Sequence, residues 1–216
     1  VVVLGPTGRN FGAGMSGVLA AIRLREAGIS FTVVEKNAGI GGTWFENRYP
    51  GCRVDVGNHF YCYSFEPNPD WQEFFSRQPE LQRYFASTAR KYGVEARIRF
   101  NTEVQAADFD EASGEWRVRV RAKDGAVETL RARVLISGVG QLNRPKLPDI
   151  DGLDRFRGPA FHSACWDHSV SLAGKRVAVI GSGASAFQLV PEIATQAAQV
   201  YTFQRTPQWM FPNPDY

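Results

Sequence analysis

Two short glycine-rich turns are the parts of this sequence best suited to chemistry. The run Arg176–Ile180 leads straight into Gly181-Ser182-Gly183-Ala184-Ser185-Ala186, a GxGxxA turn. In such a turn the first glycine, Gly181, permits a tight bend, and the second, Gly183, lets backbone amides approach a pyrophosphate. The small third residue, Ala186, lets the following helix pack closely on the strand. The next apolar run ends in Gln204-Arg205-Thr206. An acid at this place would accept hydrogen bonds from a ribose 2′-hydroxyl, whereas the guanidinium of Arg205, with Thr206 beside it, suits a 2′-phosphate. NADPH is therefore expected in preference to NADH. A solvated surface arginine is the plainer reading of the same residue.

The N-terminal copy of the turn is Gly12-Ala13-Gly14-Met15-Ser16-Gly17, and Glu35 follows about 20 residues on, where a ribose partner belongs. FAD or NAD would satisfy that acid; NADP would not. Two nucleotide turns with opposite preferences predict a flavin together with NADPH. The first copy is disturbed by Gly5–Phe11, which stands between the apolar run Val1–Leu4 and Gly12. Gly5 serves equally well as the first motif glycine, with residues 6–12 inserted. Either way a bulge is expected where a pyrophosphate approaches the helix N-terminus, at the expense of FAD affinity.

The elements that must carry these turns are legible from periodicity. Val18, Leu19, Ala21 and Ile22 recur at helical spacing over Gly14–Ala27, and Gly28 is a suitable stop. Phe31–Glu35 reads as the next strand, and the Gly-, Pro- and Asn-rich stretch 37–69 as a long structured loop of the kind that usually has a function. Leu81, Tyr84, Phe85, Thr88 and Tyr92 predict a helix after Pro79 that exits at Gly93. Trp116, Val118 and Val120 alternate with charged residues, and Asp124-Gly125 offers a hairpin turn to a strand near Val127–Leu130. Val134–Ser137 is a further short strand, and the proline-punctuated run Arg144–Asp151 reads as a linker. Beyond it, strand Arg176–Ile180, helix Ala184–Ala194 and strand Val200–Gln204 follow in order.

Composition narrows the class. With 44% hydrophobic residues and no apolar run near twenty, the 216-residue chain is expected to be a soluble, cytoplasmic protein without a membrane span. Its opening residues do not resemble a signal peptide. A net charge of +3 is too small and dispersed for a nucleic-acid surface. Cys52, Cys62 and Cys165, with His59, His162 and His168, show no metal-ligand spacing, so free thiols and no metal site are expected.

Two longer patterns carry a family resemblance. Residues 41–55 read Gly41-Gly42-Thr43-Trp44-Phe45-Glu46-Asn47-Arg48-Tyr49-Pro50-Gly51-Cys52-Arg53-Val54-Asp55, and residues 156–167 read Phe156-Arg157-Gly158-Pro159-Ala160-Phe161-His162-Ser163-Ala164-Cys165-Trp166-Asp167. They resemble the GGxWxxxxYPGxxxD and FxGxxxHxxxW(P/D) fingerprints of Baeyer–Villiger monooxygenases, in the right order relative to both glycine turns. Segments 57–65 and 204–209 look closest to the 4-hydroxyacetophenone-monooxygenase-like branch. The resemblance implies reduction of FAD by NADPH, a C4a-peroxyflavin formed with O2, and conversion of a small-molecule ketone to an ester or lactone.

By the same resemblance Asp55 would hold an active-site Arg near the flavin, a carboxylate fixing a guanidinium. Thr43, Trp44 and Tyr61 would also lie by the flavin, although Trp44 and Tyr61 suit core packing equally well. His162 reads as a hydrogen-bonding linker residue in preference to a general base. The implied fold class is α/β. A Rossmann-like FAD-binding domain with a β-rich insertion (1–147) precedes the start of a second Rossmann-like, NADPH-binding domain (148–216, its first β-α-β). Family members are more than twice as long, so an N-terminal fragment is expected, with the active-site Arg in a missing C-terminal half. Two alternatives stay open: a flavin monooxygenase acting on amines or sulfides, and a non-catalytic nucleotide-binding remnant.

Overall fold

A computed structural model describes residues 1–4 and 12–209. The chain divides into two compact units, Val1–Glu46 with Leu81–Arg144, and Asn47–Glu80 with Pro145–Tyr216. The interval expected to bulge, Gly5–Phe11, lies outside the described residues. Among the described residues, no helix is long and apolar enough to cross a membrane.

In the first unit the chain runs β1 (Val2–Leu4), α1 (Met15–Glu26), β2 (Thr32–Val34) and α2 (Thr43–Glu46). After the excursion 47–80 it continues along α3 (Gln78–Lys91), β3 (Ile98–Arg99), β4 (Thr102–Asp110), β5 (Glu115–Ala122), β6 (Val127–Ala132) and β7 (Leu135–Ser137). The short β-branched runs pair in parallel in the order β3-β2-β1-β7. Parallel strands need a crossover, and α1 supplies the one between β1 and β2. It buries Gly17, Val18, Ala21 and Ile22, one stripe at i, i+4 spacing. Helix α3 buries Leu81, Tyr84, Phe85, Thr88 and Ala89 on its own stripe. A side chain the size of Phe85 removed wholly from water contributes about 1.5–3 kcal/mol.

Strands β4, β5 and β6 form an antiparallel meander. Val118 and Val120 point inward while Arg117, Arg119 and Arg121 face solvent, the period-2 alternation that fixes register. The inward residues join Val2, Val34, Val104 and Ala132 in a single apolar cluster. This is the β-rich insertion expected from the sequence, with one more strand. Nine-residue β4 was not legible, because beyond Val104 its side chains are small, polar or exposed and its register shifts between Val104 and Ala106.

The second unit contains β8 (Arg176–Ile180), α4 (Ala184–Ala194) and β9 (Gln199–Phe203), a β-α-β in which β8 and β9 pair in parallel. The stretch 37–69, expected as loop, contains the short helix α2 and a 3-10 turn at Asn58–Phe60 and is otherwise irregular, and the excursion 47–80 runs through it to the start of α3. The excursion is ordered by its own polar contacts. The backbone N–H of Val54 donates to Ser76 O (3.1 Å) and that of Gln78 to Cys52 O (2.8 Å). The fully buried Asn58 side chain donates to Ser76 Oγ (2.6 Å) and accepts from Ser76 N (3.0 Å).

Candidate functional site: two glycine turns and a docked loop

The first turn is closed by packing. A Cβ on Gly12 would lie 2.1 Å from the Val34 carbonyl oxygen, and one on Gly17 would lie 1.6 Å from the Gly12 carbonyl oxygen. No side chain fits at either place. Gly14 is the N-cap of α1 and brings no side-chain cap, so the first amides of the helix keep their capacity to donate. Glu35, one residue past β2, is fully buried beside this turn. Its Oε2 accepts from Ala13 N (2.9 Å) and its Oε1 from Asn37 N (2.8 Å). Burial pushes its carboxyl up to about 7, against those two donors, which favour the carboxylate. The Gly41 N–H donates to Ala13 O (3.0 Å), which ties the Gly41-Gly42 bend to the turn and sets Thr43 and the buried Trp44 at the start of α2. The structure thus gathers Gly12, Gly14, Gly17, Glu35 and the bend before Thr43.

The second turn is open. Gly181 has φ +113°, a backbone state that favours glycine, and its N–H donates to Phe203 O (2.8 Å). Gly183 is the N-cap of α4 with no side-chain cap, and a Cβ there would meet nothing within 4 Å. Ser182 Oγ donates to Thr206 O (3.4 Å), so the end of β9 folds alongside the turn. Arg205 and Thr206 are exposed there, and Ala186 is half-buried on the first turn of α4. Gly181, Gly183, Arg205 and Thr206 therefore share one end of the β8–β9 pair.

The other expected site residues lie on the excursion. Asp55 is exposed, and Tyr61 is half-buried and closes the 3-10 turn by donating its N–H to Asn58 O (2.9 Å). His162 Nδ1 accepts from Ala164 N (3.1 Å), a local cap on the turn Ser163–Cys165. Trp166 packs edge-on against Phe161 with ring centroids 5.0 Å apart.

One residue was missed. Gln188 on α4 is buried, its Oε1 accepts from Tyr49 Oη (2.9 Å) and Arg53 N (3.2 Å), and its Nε2 donates to Arg53 O (2.9 Å). Gly51, at φ +77°, lies so close to α4 that a Cβ would be 2.4 Å from Gln188 O. These contacts involve Tyr49 and Gly51 of the first fingerprint. The available signal was a glutamine among Phe187, Leu189 and Ile193, a polar residue on an otherwise apolar helix.

Comparison with known proteins agrees with this architecture. Residues 10–213 match the family model described as flavin-binding monooxygenase-like. A monooxygenase of Sinorhizobium fredii, itself uncharacterized, is 48% identical over 95% of this chain and 31% of its own length. A Baeyer–Villiger monooxygenase of Pseudomonas aeruginosa is 46% identical over 94% of this chain and 38% of its own. The crystal structure of OTEMO in complex with FAD and NADP superposes with a TM-score of 0.86 at 38% identity, covering 98% of this chain and 40% of that one. The chain thus spans about a third of the length of the curated relatives it matches. With the match running through both glycine turns and the excursion between them, the chain belongs to the flavin-binding monooxygenase-like family.

Proposed function

We propose that this chain carries the FAD-binding region (1–147) and the opening of the NADPH-binding region (148–216) of a cytoplasmic Baeyer–Villiger monooxygenase. The reaction is insertion of one oxygen atom from O2 beside a ketone carbonyl. The observation that carries this reading is the pair of glycine turns with opposite partners, a buried acid at the first and an exposed guanidinium at the second.

The residues fit the two groups. At the first turn, uncapped α1 and side-chain-free Gly12, Gly14 and Gly17 suit a pyrophosphate, and Glu35 suits ribose hydroxyl donors. Thr43, Trp44 and Tyr61 are assigned to the flavin side. At the second, Gly181, Gly183 and Ala186 admit the nicotinamide dinucleotide, while Arg205 and Thr206 take its 2′-phosphate. Asp55 offers an exposed carboxylate to hold a cation. The flavin supplies the electron and oxygen chemistry when bound; the protein binds, orients and keeps water away.

Calorimetric titration of the chain with NADP⁺ and NAD⁺ tests the reading. NADP⁺ is expected to bind about tenfold tighter or better, as a guanidinium–phosphate contact warrants. Equal affinities would remove the assignment of Arg205. A purified chain that takes up no FAD would remove that of Glu35.

A further inference from the structure

We propose that Gln188 is a positioning residue that couples the nucleotide turn at the head of α4 to the loop 49–55, and through it to Asp55. The ligand half of this inference rests on the NADPH reading above.

The carboxamide of Gln188 is used almost fully. Its oxygen accepts from Tyr49 Oη (2.9 Å) and Arg53 N (3.2 Å), and its nitrogen donates to Arg53 O (2.9 Å). Both backbone groups of Arg53 are thus read by one side chain, as a neighbouring strand would read them. A buried amide is costly unless its groups are paired, so this arrangement is stable only while loop and helix stay in register. One helical turn further on, Glu192 pairs with Arg77 (3.6 Å), and Glu73 pairs with Arg77 (3.2 Å) and Arg53 (3.3 Å). Gln188 and Glu192, at i and i+4, therefore give one face of α4 to the excursion. That helix begins at Gly183. Gln188 stands five residues in, about 7.5 Å along the axis and ahead of the interior Pro191, so the stretch between turn and clamp is uninterrupted helix. Asp55 is two residues beyond the clamped Arg53.

Glutamine alone among similar side chains fills this role. Glutamate would keep the acceptor but lose the donor to Arg53 O, and would set a carboxylate against that carbonyl. Methionine would match the length and lose all three bonds.

Cys52, between Gly51 and Arg53, reports on the clamp. It is buried, and burial pushes its thiol up to about 11, so the closed loop is protected from thiol reagents near neutral pH. Replacing Cys62 and Cys165 by serine leaves Cys52 as the sole thiol, and its reaction with a chromogenic disulfide is then followed. Gln188→Met is expected to speed labelling about tenfold or more, and Gln188→Glu by less, because labelling tracks local opening. Both should keep the wild-type circular dichroism, and should Gln188→Met fail to fold, Gln188→Glu carries the comparison. Saturating NADP⁺ should slow labelling in the Gln188 protein and leave the Gln188→Met rate unchanged, although that variant still binds NADP⁺ by calorimetry. A role confined to packing would not produce that difference. Unchanged labelling in both variants overturns the clamp. Binding heat without any change in wild-type labelling overturns the coupling and leaves the NADPH reading standing. Absence of binding heat overturns the NADPH reading, and the coupling with it.

Discussion

The two glycine turns share a sequence pattern and differ in what makes them glycine. At the first, the chain itself forbids a side chain: Gly12 abuts the Val34 carbonyl and Gly17 the Gly12 carbonyl. At the second, nothing stands within 4 Å of a Cβ on Gly183. Their charged partners differ in the same sense, with Glu35 fully buried between two backbone donors and Arg205 in solvent. One turn is crowded by its own backbone, and the other is open at Gly183. A shared motif can thus sit in two different steric settings, one crowded by the chain's own backbone and one open.

Substitutions can break this contrast. The largest effect is expected at Gly17→Ala, whose new methyl would stand 1.6 Å from the Gly12 carbonyl oxygen. A loss of about 3 kcal/mol in urea unfolding is expected, and wild-type stability would dissolve the contrast. Next is the acid. An acid whose pKa rises on folding holds its proton more tightly when folded. Its stabilisation is therefore complete below 4.5 and lost as pH climbs through about 7. Glu35→Gln should remove that slope, worth at most about 3 kcal/mol, from a pH series of unfolding curves. Equal slopes in the two proteins would show that the buried carboxyl titrates normally. Arg205→Glu should reduce the preference for NADP⁺ over NAD⁺ by about 10- to 100-fold in calorimetry without changing the urea midpoint. The smallest overall effect is expected at Gly183→Ala, with stability within about 1 kcal/mol of wild type and NADP⁺ affinity down about tenfold. A large stability loss there would make the two turns alike after all.

Much of the scaffold was legible because burial imposes periodicity. The stripe of Val18, Ala21 and Ile22 gave α1, the alternation about Val118 gave β5, and β8 and α4 were read to the residue. β4 escaped because its register shift and polar tail break the period-2 signal. The glycines and Glu35 were legible because a turn beside a strand tip admits few residue types. Gln188 was not, since its partners Tyr49 and Arg53 stand 139 and 135 positions away in sequence. Periodicity reports that a position is buried, not which distant backbone it will meet.

That separation has a consequence for how the polypeptide acquires its shape. The excursion 47–80 leaves the ribosome long before α4, yet the Tyr49 hydroxyl and the Arg53 backbone bond to Gln188 on that helix. Closing so large a loop is slow and entropically costly, and contacts of this span delay folding. The part around Tyr49 and Arg53 is therefore expected to close only once synthesis reaches residue 188, and in pulsed hydrogen exchange during refolding the Arg53 amide, bonded to Gln188, should gain protection later than those of Val54 and Gln78, whose acceptors lie within the excursion.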